Sequence, residues 1–313
     1  AARCFTGKNF VIKVGGAYHG WSDQMVLGMR IPGLGTLEAH GIPKGAFEFM
    51  QEVYPNDIDA LRKLLEQNEK NGGTAAVILE PLGPESGTRP VLFDYNKNAR
   101  ALCDEFESLL IFDEVVTAFR VGPGGAQGYF DVKPDLTVFG KCVAGGYTAA
   151  GGVGGRAEVM SVFAAGLQGL GKRAMVGGTL SANPLSCAAG YFAIQAIVDN
   201  EAHVKAGRAG DRLTKGLQEI IKKYDLPFVA FNHGSICHLE TAAAMLMEIT
   251  NPKIFEEVTK RKHIMEETGA VLMAEGLISL AGSRLYTSMA DTDEVIDQSL
   301  ERFDRVLGLF ERV

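Results

Sequence analysis

Leu109-Leu110-Ile111-Phe112-Asp113-Glu114 is an unbroken apolar run that ends on two carboxylates, and 28 residues after Asp113 a second stretch, Leu136-Thr137-Val138-Phe139-Gly140, delivers Lys141. A segment apolar at every position suits a strand covered on both faces of a parallel sheet, where alternation is not needed. In open α/β sheets, ligands sit beyond the carboxyl ends of such strands. Working outward, 10–14 reads as a strand, 58–68 as an amphipathic helix with Ile58, Leu61, Leu64 and Leu65 on one face, 75–79 as a strand and 96–106 as a helix. This alternation predicts the α/β class, a mostly parallel sheet covered by helices. A long Ala-rich helix is expected over 184–200 and another over 202–224. Beyond Tyr224 the pattern shifts to short strands at 228–231, 236–239, 270–273 and 277–280, framed by helices at 253–267 and 292–310. The expected division is a large domain, 1–200, and a small C-terminal α+β domain, 201–313.

The spacing of a buried acid and a lysine is what pyridoxal 5'-phosphate chemistry requires. A carboxylate beside a pyridine nitrogen keeps it protonated, so the ring can take up the electron pair released at the substrate's amino-bearing carbon. Asp113 is the candidate for that role, and Val115 is expected against the ring. Lys141 would present its amine to the cofactor aldehyde as a Schiff base, and desolvation would ease its deprotonation. Taken singly, Asp113 reads as a turn cap and Lys141 as a surface lysine. Their order and setting argue for the chemistry.

From Leu110 to Met160 the sequence resembles the cofactor-attachment signature of the class III aminotransferases: Asp113-Glu114-Val115, Phe119-Arg120, Pro134-Asp135-Leu136 and Gly140-Lys141 follow in order without a gap. Phe119-Arg120-Val121 and Gly124-Gly125-Ala126-Gln127 are most similar to the glutamate-1-semialdehyde 2,1-aminomutase-like group. The resemblance implies a fold type I transferase with pyridoxal phosphate as cofactor. Gly15-Gly16-Ala17-Tyr18-His19-Gly20-Trp21 resembles the family's Tyr-His-Gly turn, which gives Tyr18 the role of stacking on the pyridine ring, with His19 beside it among the cofactor contacts. Val77-Ile78-Leu79-Glu80-Pro81 resembles the strand whose terminal glutamate, here Glu80, lies near cofactor and substrate. Gly177-Gly178-Thr179 resembles the loop that reaches across a homodimer interface to the cofactor phosphate, which makes Gly178 and Thr179 phosphate donors. An ordinary turn before a helix capped by Asn183 and opened by Pro184 would give the same residues.

The family's Ser-Gly-Thr-Glu-Ala phosphate turn has no counterpart, because Ala2-Arg3-Cys4 already resembles the helix that follows it. The N-terminal part of the family fold is therefore expected to be missing, which leaves a non-catalytic relic of the family as one alternative. Residues 22–41 form a shorter segment than the mutase's gating loop, and 282–288 lack the acidic residue the mutase places there. Both favour ping-pong amino transfer between an amino donor and a keto acid over an internal amino shift. A racemase or decarboxylase on the same scaffold is a further alternative.

The 313 residues, 46% hydrophobic and 22% charged, suffice for two domains. A net charge of -7 argues against nonspecific nucleic-acid binding. No apolar stretch reaches membrane-span length and no signal-peptide pattern is seen, so a cytoplasmic address is expected. Five cysteines without paired spacing read as reduced packing residues. His233, Cys237 and His238 lack the spacing and the second ligand pair of a metal site, so none is expected. Gly151-Gly152-Val153-Gly154-Gly155 offers a competing dinucleotide fingerprint, which would need a strand just before it and a helix opening at its last glycine.

Overall fold

The computed structural model describes residues 1–33, 35, 39–147, 151–164, 173–241, 254–280 and 282–310, with the backbone alone at 254–259 and 261. Two compact units emerge: residues 1–119 with 124–195, and residues 120–123 with 196–313.

The first unit is built on a six-stranded sheet of β1 (Phe10–Val14), β2 (Met50–Val53), β3 (Thr74–Leu79), β4 (Leu109–Asp113), β5 (Leu136–Phe139) and β6 (Gly152–Gly155), in the order β2-β1-β3-β4-β5-β6. The first five run parallel and β6 closes one edge antiparallel to β5. From β1 the chain crosses first to one side and then to the other, so the order reverses between β1 and β3, the place where open sheets bind ligands. Every residue of β3 is buried, as its apolar run requires. Helices α2 (Ile58–Glu69) and α4 (Tyr95–Glu105), separated by the short turn α3 (Pro84–Gly87), seal the sheet through Leu61, Leu65, Ala99 and Leu102 against Ile12, Val77, Leu110 and Phe112. Asp57 starts α2 by accepting the Ala60 N–H at 2.8 Å. The helix α1 (Ala2–Thr6) packs its buried Ala2 with Ala75 and Ala76.

The glycine run 151–155 is not a nucleotide loop. It is the edge strand β6 itself, where a Cβ on Gly152 would lie 2.7 Å from the Phe139 ring and one on Gly155 2.3 Å from the Asp135 carbonyl. Close backbone approach, not phosphate, explains these glycines.

Asp135 joins three elements. Its carboxylate accepts from Arg156 at 2.6 Å, Arg100 at 2.7 Å and the Leu110 N–H at 2.7 Å, which fixes β5 against β4 and α4. Burial alone would raise this acid, but the three donors overcome it and hold the carboxyl below its ordinary range.

The second unit carries α8 (Ala202–Tyr224), the antiparallel strands β7 (Phe228–His233), β8 (Ile236–Thr241) and β9 (Arg284–Tyr286), and helices α9 (Ile254–Ala274) and α10 (Asp293–Leu307), preceded by α7 (Pro184–Asp199), which passes from the first unit into it. Leu213, Leu217, Phe228, Leu239 and Phe303 form its core. Residues 270–273, expected as a strand, are the last turns of α9, and 277–280 hold only the isolated bridge of Leu280 to Arg284. Gly269 does not break the helix, because it packs against Gly282, whose Cα would lie 3.3 Å from an added Cβ. A four-residue apolar run cannot by itself separate helix from strand. His233, Cys237 and His238 lie on the β7–β8 hairpin, with the His238 ring stacked on Phe231. Among the described residues no group of three or more potential ligands could hold a metal ion.

Asp135 generates a test with a defined sign. Because its native pKa is depressed, its contribution is present above the unfolded carboxylate range and is lost as pH falls through the native value. Asp135→Asn is expected to cost about 2 kcal/mol at pH 7, with the gap to the parent closing in acid. Urea denaturation at pH 7 and pH 3.5 measures both.

Candidate active site

Four neighbouring parallel strands end on the residues singled out from sequence. The chain leaves β1 at Val14 and turns through Tyr18 and His19; it leaves β3 at Leu79 into Glu80, β4 at Asp113, and β5 at Phe139 into Gly140 and Lys141. Registers make these neighbours in fact: Leu79 pairs with Phe112, so Glu80 and Asp113 are adjacent, and Asp113 pairs with Val138, three residues before Lys141. The Glu114 N–H, donating to the Val138 carbonyl at 2.8 Å, extends that ladder past the strand end.

Asp113 is buried, and its Oδ2 lies 2.7 Å from Nδ1 of His19, whose side chain is also buried. Its Oδ1 accepts the Val115 N–H at 3.1 Å. With Nδ1 donating to the carboxylate, Nε2 of His19 is the ring's second polar atom, and it is buried without a partner. Each oxygen of Asp113 keeps a lone pair beyond these bonds. This acid is oriented and still able to accept from a ligand.

Glu80 differs. Oε1 accepts the Tyr18 and Glu85 N–H groups, each at 2.9 Å, and Oε2 accepts the Ser86 N–H and, at 2.9 Å, its hydroxyl. Four donors fill the acceptor sites of a carboxylate. Burial raises its pKa, and Asp113 adds to the rise, while His19 and the hydrogen bonds oppose it. Glu80 therefore acts from behind the site: it fastens the Tyr18 turn to the 84–87 turn, where Glu85 and Ser86 hold left-handed φ of 49° and 55°.

Glu114 was quoted in the motif but given no role by sequence reasoning. It is buried, and its carboxylate accepts from the Thr117 hydroxyl at 2.8 Å, the Ala126 N–H at 2.6 Å, and the Gln127 N–H and side-chain amide at 3.0 and 3.1 Å. That binds the start of α5 (Gly125–Phe130) beneath the site, where Gly125 has φ 62° and a Cβ would meet the Glu114 carboxylate. A second acid directly after a strand-terminal acid, followed by a glycine-rich segment rich in N–H groups, was the available signal.

Lys141 opens a single 3-10 turn (Lys141–Ala144) and carries φ 48°, a left-handed value unusual for a side chain of this size. It is exposed, contrary to the desolvated setting expected from sequence, because the apolar stretch before it ends at Gly140 and the chain turns out past the strand end. Tyr18 is partly exposed and Val115 half-buried, whereas Gly178 and Thr179 are exposed in the turn before α7. The Gly178 carbonyl accepts the Ser181 N–H at 2.9 Å, and Asn183 caps α7 by accepting the Ser186 N–H at 3.0 Å. The reading of that segment as a turn before a helix capped by Asn183 thus has local support, and Gly178 and Thr179 stand exposed in that turn.

Among the described residues no helix is long and apolar enough to cross a membrane. Glutamate-1-semialdehyde 2,1-aminomutase 1 of Staphylococcus carnosus (strain TM300) is 34% identical over 319 residues, which cover 100% of this chain and 70% of the relative. The aminomutase of Francisella philomiragia is 34% identical over 312 residues, covering 96% and 67%. An omega-transaminase structure from Sphaerobacter thermophilus superposes with a TM-score of 0.83 at 27% identity, over 98% of this chain and 70% of that one. A glutamate-1-semialdehyde-aminomutase structure from Pseudomonas aeruginosa PAO1, at 22% identity and a TM-score of 0.77, covers 98% and 67% and shows the same transferase fold. The Aminotransferase class-III family profile matches residues 2–307. With that profile across nearly its whole length and relatives at 34% identity, the chain belongs to the class III aminotransferases.

Proposed function

We propose that this chain transfers an amino group from an amino acid or amine to a keto acid by a ping-pong route, with Lys141 and Asp113 as its catalytic residues. Its cofactor is pyridoxal 5'-phosphate, in keeping with its family. The observation that carries the reading is the set of Tyr18, Asp113 and Lys141 at the carboxyl ends of β1, β4 and β5 in one parallel sheet, with Asp113 oriented by His19 and left with acceptor capacity. The donor set fits the group: a half-satisfied buried carboxylate for a pyridinium N–H, an aromatic turn for a ring face, a lysine for an aldehyde, and Gly178 and Thr179 for a phosphate. Bound there, the cofactor supplies a carbonyl that condenses with amines and a ring that takes up the electron pair of the bond broken at the substrate carbon.

The protein's own part is positional and acid–base. Asp113 holds a proton on the ring nitrogen, and His19 holds Asp113. Tyr18 and Val115 would lie against the ring. Lys141 would hold the cofactor's aldehyde and, as general base and then acid, would take up and return a proton at Nζ. Residues 1–200 carry this machinery in the proposal, and 201–313 the smaller domain.

A homodimer with its site at the interface is part of the same reading. Met175, Val176 and Leu180 before α7, and Leu185, Tyr191 and Phe192 on it, are exposed. Large apolar side chains exposed together along one segment suit an interaction site. It adjoins the proposed phosphate donors Gly178 and Thr179, as a second copy would require.

The curated relatives favour a second reading, in which the amino group shifts within one molecule. Turnover of glutamate-1-semialdehyde with no keto acid present would establish it; dependence on an added keto acid establishes transfer.

Two outcomes test the residues. Borohydride treatment of the cofactor-loaded chain followed by peptide mapping is expected to leave a pyridoxyl mass on Lys141; a label elsewhere, or none, removes Lys141 from the mechanism. Asp113→Asn is expected to keep binding cofactor while kcat falls at least about 100-fold, roughly 3 kcal/mol of lost transition-state stabilisation. Unchanged turnover would acquit Asp113.

A further inference from the structure

Lys13 lies in the middle of β1 between apolar neighbours and is completely buried. Lysine is almost never buried this way without partners, and an apolar side chain of similar length would often serve packing as well or better. Packing alone therefore does not account for an ammonium inside the sheet. Its Nζ donates to two carbonyls at 2.9 Å, those of Ala17 and Met25. These acceptors bracket the turn: Ala17 immediately precedes Tyr18, and Met25 lies four residues past Trp21.

The surroundings are arranged about the same cation. Glu52, on the adjacent strand β2, exerts an attraction on it, as does Glu80 beyond β3, against a burial that lowers Lys13 to about 8. The ammonium is therefore still mostly charged at neutral pH, and hydrogen bonds from a charged donor are roughly twice as strong as neutral ones. Glu52 in turn accepts the Gly33 N–H at 3.2 Å, and a Cβ on Gly28 would collide with its carboxylate. The Gly28 carbonyl accepts the Gly16 N–H at 2.7 Å, so the segment after the turn is laid back on the segment before it.

We propose that Lys13 is a positioning residue whose ammonium, from inside the sheet, clamps both ends of the 17–25 loop and so sets where Tyr18 stands above the carboxyl edge. The proposal rests on reading that edge as the cofactor site, but the clamp itself is a property of the chain without cofactor.

Trp21, the only tryptophan of the sequence, sits inside the clamped loop and is exposed, so its fluorescence anisotropy reports loop order directly. In cofactor-free protein, Lys13→Met keeps the length of the side chain and removes every donor. Expected are an unchanged far-UV circular dichroism spectrum, a lower Trp21 anisotropy at matched lifetime, and a dissociation constant for pyridoxal phosphate raised about tenfold or more. Lys13→Arg, which retains charge and donors, is expected to recover part of the anisotropy. A folded Lys13→Met whose Trp21 is as ordered as the parent's overturns the proposal. Should Lys13→Met not fold, Glu52→Gln decides: it keeps the acceptor for Gly33 and removes the countercharge, so lowered anisotropy supports the clamp and unchanged anisotropy refutes it. A parent chain that binds no pyridoxal phosphate would refute the functional reading while leaving the Trp21 comparison intact.

Discussion

Parallel pairing of β1, β3, β4 and β5 is the constraint on which the site depends. Parallel strands place all their carboxyl ends on one edge, and the registers of β3 with β4 and of β4 with β5 set Glu80 level with Asp113 and Lys141 three residues past the partner of Asp113. A slip of one residue would turn each of these side chains to the opposite face. The buried apolar runs prevent that slip, so the hydrophobic core and the placement of the chemistry are one specification. The reversal of strand order between β1 and β3 then opens the sheet where the Tyr18 turn and Glu80 meet.

Three carboxylates at this edge, Glu80, Asp113 and Glu114, differ in what surrounds them. Glu114 and Glu80 have their acceptor sites filled by backbone and side-chain donors of their own chain, which makes them fasteners. Asp113 has one donor on each oxygen and is left with capacity to spare. Burial penalises all three equally in kind, so the distinction lies in hydrogen-bond completeness. That spare capacity on a buried, already oriented carboxylate is what the proposed function uses. The unpartnered Nε2 of His19 is a further polar atom at the same place.

How far the sequence could be read follows from the same physics. Strands β1, β3 and β4 were legible as short apolar runs, helices α2, α4 and α8 from apolar residues at helical spacing, and α7 from its Ala-rich composition. The strands not anticipated were β2, β6 and β9. In Met50–Val53 polar Gln51 and Glu52 interrupt the run, Gly152–Gly155 has scarcely any side chains to carry a period, and Arg284–Tyr286 is three residues long. At 270–273 a local apolar cluster was read as a strand although it continues a helix whose earlier residues carry a mixed pattern. Asp113, Lys141 and Tyr18 were found because order and spacing identify them. The supporting roles of Glu114 and Lys13 were not found, since these depend on which backbone groups the fold brings to them. A lysine within an apolar strand was nonetheless a visible anomaly, because a charge there demands partners.

The exposure of Lys141 bears on assembly. The described residues of one chain leave that side chain open to water, as they leave Gly178, Thr179 and the apolar side chains of α7. In the proposed dimer these exposures have a common origin. Covering α7 would bring phosphate donors to a neighbouring site and close water away from the lysine in one step, so loading with cofactor and pairing of chains would reinforce each other by linkage. A chain that binds cofactor weakly as a monomer and tightly as a pair follows from that coupling without any change in the residues at the strand ends.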